Sequence, residues 1–384
     1  MFIKSYMKFF KLRFVSTSSM LLCMAFFTSN ANGDITSQIS DKVLNLDESP
    51  HAYSFITSGH TYGVPSGSLY PAASILANIQ LFNNLNPDFM ILLGDVIQHQ
   101  ASPNGVGELE IEIFKKSLVD KLEFPVFNSP GNHDLSIRNL YEKYFGKTFF
   151  HFQKSSELYI VLDTELGPGL SDAPQRDYVL KLIKLAKKDN EIKNIFLFMH
   201  GTLWAVNNSP LSSINPWVNG GPLTESNDFE KTVLPELNLL AKTKNVYLLS
   251  GDIGIKNYKL NKFPQESFPL FFQKHNNITY IANGLAENEN DAVIKVDVSI
   301  NGDVVFHPIS LIGDELGNID QYGLEYWQNK FSISESSSEV GMKRKIVVKI
   351  KTIMKNRFFI IGNIFLLFLA FVYIVFLRYQ LTKK

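Results

Sequence analysis

Asn132, His133 and Asp134 stand side by side in the run Ser129-Pro130-Gly131-Asn132-His133-Asp134, and Asp95 closes an earlier Leu93-Gly94-Asp95. Carboxylate and amide oxygens are hard donors and imidazole is intermediate, so together they can hold a divalent cation. A histidine beside a carboxylate can also move a proton. Each turn follows a short apolar run, 89–93 and 124–127, of the kind that forms a buried strand. Donors on turns that follow strands gather at a sheet edge, where α/β folds place their chemistry. Taken singly, Gly-Asp is a common turn and Gly-Asn-His-Asp could be a capped loop.

The elements that must position these turns are legible as alternating patterns. Strands are expected at 53–57, 89–93, 125–127, 158–162, 195–199, 246–249, 278–281, 292–298 and 304–308. Helices are expected at 70–84, 108–121, 137–144, 177–188 and 227–242. This alternation, closing with antiparallel strands, describes an α/β fold of stacked sheets with helices outside. Apolar residues make up 45% of the 384, ample for a packed core, and the net charge of zero offers no surface for polyanions. The aromatic 13% is largely Phe, which fits packing rather than base stacking, so no nucleic acid partner is expected. The lone cysteine, Cys23, lies in a segment expected to be removed, which leaves no thiol for a disulfide or a thiolate-bound zinc.

Asp95 followed by Gly131-Asn132-His133-Asp134 resembles the metal-binding core of the calcineurin-like metallophosphoesterases. Asn86-Pro87-Asp88 ahead of the strand at 89–93 is similar to the family pattern, as are Gln175-Arg176-Asp177-Tyr178 and Leu203-Trp204 on either side of Phe196-Leu197-Phe198-Met199-His200. The resemblance covers about 52–311 and implies a four-layer αββα sandwich. It also implies two adjacent ions that neutralise a phosphate, acidify a water and hold it in line. On that resemblance Asp95 is the bridging carboxylate, Asn132 a ligand through its amide oxygen, and His200 a ligand at a strand end. His133 is then the proton donor near the leaving group, and Asp134 orients its ring.

Two departures shape the expectation. The family opens with Asp-x-His, whereas this chain has Ser58-Gly59-His60, which keeps the imidazole and loses the carboxylate. The family's late Gly-His-x-His is Gly251-Asp252-Ile253-Gly254 here; Asp252 can replace the first histidine and Gly254 cannot replace the second. One ion would keep Asp95, Asn132, His200 and Asp252, and the other only His60 and the shared Asp95. One firm divalent ion is therefore expected, Mn, Fe(II), Zn or Mg, with a second weak or absent. The resulting expectation is a metal-dependent hydrolase of phosphate monoesters or diesters. Its rival is a catalytically degenerate binding module, favoured by Ser58 and Gly254 and disfavoured by the retained His133. His99 reads as a loop residue and Asp163-Thr164-Glu165 as a turn.

The two ends read as membrane signals. Lys4, Lys8, Lys11 and Arg13 precede an apolar run at 15–27 and Ser29-Asn30-Ala31, the pattern of a signal peptide over 1–31. A tether is expected at 32–51, the phosphoesterase-like domain at 52–311, a polar linker at 312–342 and a basic juxtamembrane stem at 343–357. Residues 358–377 carry no formal charge and are long enough to cross a bilayer as a helix, leaving a short tail at 378–384. Basic residues before this span favour a cytoplasmic domain, but a translocating leader commits the domain outward. A single-pass cell-membrane protein with an extracytoplasmic (periplasmic or extracellular) domain is expected. Its substrate would be a phosphate ester, with lipid-linked and envelope-polymer-linked esters brought within reach by the anchor.

Overall fold

The chain folds as short apolar runs joined by amphipathic helices, and the computed structural model describes residues 33–46, 51–62, 68–98, 106–205, 228–253, 268–285 and 290–336. A hairpin, β1 (Ile35–Ser37) and β2 (Lys42–Leu44), leads into β3 (Tyr53–Ser58), α1 (Ala73–Ala77), α2 (Ile79–Leu85) and β4 (Phe89–Leu92). Then come α3 (Val106–Ser117), β5 (Val126–Asn128), α4 (Arg138–Phe145), β6 (Phe150–Lys154) and β7 (Glu157–Val161). The middle of the chain holds α5 (Ala173–Lys188), β8 (Asn194–Met199), a π-helical turn at Phe229–Val233 that runs into α6 (Leu234–Leu240), and β9 (Asn245–Ser250). β10 (Leu270–His275), β11 (Ile278–Asn283), β12 (Ala292–Val298), β13 (Val304–Ser310) and α7 (Leu324–Ser336) complete it.

Besides the β1–β2 hairpin, two larger sheets result among the described residues, ordered β13-β12-β3-β4-β5 and β10-β11-β9-β8-β7-β6. Within them β3, β4 and β5 run parallel, as do β7, β8, β9 and β11. β3, β4 and β8 are buried along their whole length, which is why they read as unbroken apolar runs rather than alternating ones. One core lies between the sheets, where Phe55, Phe89, Tyr159, Phe196, Phe198 and Tyr247 interlock. Phe55 stacks on Phe89 with centroids 5.0 Å apart, and Phe196 stacks on Tyr247 at 4.7 Å. Such aromatic pairs add about 0.5–1.5 kcal/mol each beyond the area they bury. The outer face of the smaller sheet packs on Ile75, Phe82, Ile111 and Phe114 of its helices. The outer face of the larger sheet packs on Val179, Leu182, Leu237 and Trp327. The fold is a mixed α/β sandwich.

Helix α5 shows how sequence sets an element. Asp172 caps it, its carboxylate accepting from Gln175 N at 2.9 Å, and Pro174 sits in its first turn where no N–H is needed.

Two expected boundaries are corrected. The tether at 32–51 contains β1 and β2, which dock on the edge strand β5: Ser37 Oγ donates to Val126 O, and Val126 N donates to Ser40 Oγ at 3.3 Å. Polar composition suggested a tether, yet these serines satisfy the exposed backbone of a sheet edge. Ile39 and Leu44 are buried in the cores beneath. The linker at 312–342 likewise begins inside the domain, because Ile319, Tyr322 and Trp327 are buried and Trp327 Nε1 donates to Leu270 O at 2.9 Å. Among the described residues no helix is long and apolar enough to cross a membrane. The expected leader at 1–31, stem at 343–357, span at 358–377 and tail at 378–384 lie outside the described residues.

Candidate metal centre

Parallel strands deliver their C-terminal ends to one edge, and there the loops are knitted by backbone bonds. His60 N donates to Gly94 O at 3.0 Å, Ser129 N to Leu92 O at 2.9 Å, and Asp252 N to His200 O at 2.9 Å. Gly59 N reaches Asn283 O at 3.0 Å, joining the smaller sheet to the larger. His60 and Asp95 both take left-handed backbone angles, with φ of 51° and 56°. Such angles are costly for residues other than glycine and collect at functional sites. Gly94 has φ of 85°, and a Cβ there would lie 2.6 Å from His200 Nδ1. Gly131 is required for a different reason, since a Cβ there would collide with Asp95 Oδ1.

These turns bring His60, His200, Asp252 and Asp95 together, all buried. His60 Nε2 stands 3.5 Å from Asp95 Oδ2 and 3.5 Å from Asp252 Oδ1, and His200 Nε2 stands 3.5 Å from Asp95 Oδ1. One ligand atom each from His60, His200 and Asp252 fall within 4.8 Å of one another. The backbone fixes which ring nitrogen faces the cluster. His60 Nδ1 lies 3.1 Å from Ile253 O and His200 Nδ1 lies 2.8 Å from Leu93 O. A carbonyl can only accept, so each Nδ1 carries the proton and Nε2 turns its lone pair inward. Histidine ligands of metals are held in this way.

His60 Nε2, His200 Nε2 and Asp252 Oδ1 are buried without a hydrogen-bond partner. Leaving such atoms unsatisfied costs about 1–3 kcal/mol each. Two imidazole nitrogens and carboxylate oxygens, converging and unsatisfied, fit a divalent ion. Burial works against a charged His60 ring, but the facing Asp252 and Asp95 carboxylates outweigh it and raise the imidazole to about 10. Burial also opposes a charged His200, and Asp95 and Asp252 raise it nonetheless. Burial pushes the Asp95 carboxyl up, yet the facing His200 and His60 hold it below the usual carboxylate range. These opposed charges mark a place where either protons or a cation must balance two carboxylates.

The other expected residues occupy the rim and the supporting loops. The His133 side chain is 30% exposed, with Nε2 4.0 Å from Asp95 Oδ2. Its Nδ1 donates to Gln98 O at 2.5 Å, so a backbone carbonyl orients the ring and Asp134 does not. Asp134 instead accepts from Asp95 N and Gly131 N at 2.9 Å each and from Val96 N at 2.9 Å. It clasps the loop after β4 to the loop after β5, a role the motif alone could not distinguish from ring orientation. Burial and then the Asp95 charge raise the Asp134 carboxyl to about 6. Asn132 is exposed on the same turn. Ser58 is fully buried, its hydroxyl 3.4 Å from Gly59 O, while Gly254 and His99 lie outside the described residues. Asp163 pairs with Arg138 at 2.5 Å and accepts from Glu165 N at 2.9 Å, as a turn residue does.

His60 stands beside Asp95, as expected, and also falls in one cluster with His200 and Asp252. Sequence reasoning missed Tyr62, whose ring lies 5.8 Å from His60 and 5.4 Å from His133, forming a wall between them. Its only signal was its place two residues after His60.

The sequence profile of the calcineurin-like phosphoesterases matches residues 51–284, which include every residue of this centre. The chain belongs to that family. No curated protein matches the sequence significantly. Among solved structures it is similar to a dimetal phosphatase from Danio rerio at 11% identity, with a TM-score of 0.48, covering 69% of this chain and 98% of that one. It is also similar to a purple acid phosphatase from yellow lupin (Lupinus luteus) seeds at 10% identity and a TM-score of 0.46. That match covers 70% of this chain and 53% of the lupin protein.

Proposed function

We propose that this family member is a metal-dependent hydrolase of phosphate monoesters or diesters. The observation that carries the reading is the set of three buried, unsatisfied ligand atoms, His60 Nε2, His200 Nε2 and Asp252 Oδ1, with both rings pinned so that Nε2 faces inward. A divalent ion held by these atoms and Asp95 would neutralise phosphate charge and lower the pKa of a water. His133 stands at the open side of this cluster. With Nδ1–H committed to Gln98 O, its Nε2 is the nitrogen that can give a proton to a departing alkoxide. Tyr62 packs beside both His60 and His133. Asp134 fixes the loop that carries Asp95.

The site of action in this reading is the outer face of a cell membrane, reached by export through residues 1–31 and retention through 358–377. That part rests on the sequence pattern of the two ends, and it brings lipid-linked or envelope-polymer-linked phosphate esters into range.

A second reading, a binding module on the same scaffold, is favoured by one observation: a neutral, buried Ser58 stands where the family has a carboxylate. The two readings separate on His133. In the full-length protein at saturating ion, His133→Ala should slow phosphoester turnover by about 10²–10⁴-fold while ion affinity holds. Absence of turnover in both wild type and variant would favour the binding module.

A further inference from the structure

We infer that the centre of this chain takes a single ion, with His60 drawn into the same coordination set as His200, Asp252 and Asp95, instead of the ion pair its family motif was built around. The inference rests on the phosphoesterase reading for the kind of ion, and on this chain's own donors for the number.

Spacing is the first argument. A four-coordinate ion with bonds of about 2.1 Å sets its donors about 3.4 Å apart along each edge of a tetrahedron. His60 Nε2 stands 3.5 Å from Asp252 Oδ1 and 3.5 Å from Asp95 Oδ2, and His200 Nε2 stands 3.5 Å from Asp95 Oδ1. His60 and Asp252 are thus set at the edge length of one ion's shell, and His200 falls within 4.8 Å of both, while Asp95 offers a separate oxygen to each ring. Charge is the second argument. Two divalent ions about 3.5–4 Å apart need carboxylates to offset their repulsion. Asp95 and Asp252 are the two carboxylates within 3.5 Å of the imidazole nitrogens, with Glu165 a further charge that His200 feels, and the summed charge of the near pair balances one divalent ion.

The supply of donors is the third. A second ion would need further ligands beside His60. Ser58, in the position of the lost carboxylate, is neutral and fully buried, its hydroxyl turned toward Gly59 O. Asp95 Oδ1 already accepts from His133 N at 3.0 Å. Among the described residues one cluster of His, Cys, Asp and Glu could hold a metal ion, and His60 belongs to it. Removing one carboxylate and one imidazole from a two-ion site thus leaves the surviving histidine free to complete the other ion's set. An ion held there would take imidazoles from both sheets, since His60 follows β3 and His200 follows β8.

The test is a titration of the metal-stripped, full-length protein in detergent with Mn²⁺, counting bound ions by elemental analysis and recording the paramagnetic resonance of the frozen complex. The expected result is one ion per chain with the six-line signal of an isolated Mn²⁺. His60→Gln and Asp252→Asn, each checked for wild-type circular dichroism, should both weaken that ion by at least about tenfold, because both touch it. Two ions per chain with an exchange-coupled signal would overturn the inference, as would a wild type that binds none. So would a His60→Gln protein that keeps one ion at wild-type affinity. Turnover does not enter this experiment: a protein with one ion and no hydrolysis would refute the hydrolase reading and leave this inference standing.

Discussion

At the scale of single residues, the centre is held by groups that touch no ligand. Asp134 gathers the N–H groups of Asp95, Val96 and Gly131 onto one carboxylate and so maintains Asp95 at its left-handed φ of 56°. Asp134→Asn would place an amide against those donors. It should lower ion affinity by about 10–100-fold, as loss of a supporting hydrogen bond does. Calorimetric titration of the full-length variant with Mn²⁺ checks this, and unchanged affinity would contradict it. Much of this scale was legible in the sequence: Asp95, His133, His200 and the weakened Ser58-Gly59-His60 stood out as motifs. What motifs could not give was distance. That His60 faces Asp252 across 3.5 Å follows from where β3 and β9 end, and no local pattern encodes that. The carbonyls of Leu93, Gln98 and Ile253 that orient the three rings were illegible for the same reason, since a carbonyl carries no residue identity.

At the scale of elements, the parallel strands were readable because burial on both faces leaves an apolar run, and β3, β4, β8 and β12 fall close to their expected places. The short hairpin β1–β2 and the helix α7 were not readable, because polar and serine-rich composition conceals the few residues that dock them. Trp327 is the anchor of α7, buried in the helix-facing core with its indole N–H on Leu270 O. Trp327→Ala should therefore cost about 3–5 kcal/mol of domain stability, the range for a large buried aromatic. Denaturant unfolding of the full-length protein measures it. A loss within about 0.5 kcal/mol, the size of a surface change, would return 312–336 to the status of a linker.

At the scale of the whole molecule, a sandwich with its centre at one sheet edge is joined to ends whose composition speaks of a membrane. Full-length protein in native membranes should stay in the pellet after alkaline carbonate extraction, and a chain ending at Ser338 should be released. Release of the full-length chain would contradict the anchor. The central claim is that the buried His60, His200 and Asp252 atoms serve phosphoester hydrolysis through an ion. The most direct measurement is turnover of a chromogenic phosphomonoester and phosphodiester by metal-stripped, full-length protein as Mn²⁺, Fe²⁺, Zn²⁺ or Mg²⁺ is added back, with occupancy followed on the same sample. Turnover of at least one ester that rises in proportion to occupancy, and is absent from Asp252→Asn, is the result predicted. Full occupancy without hydrolysis of either ester, with every ion, would contradict it.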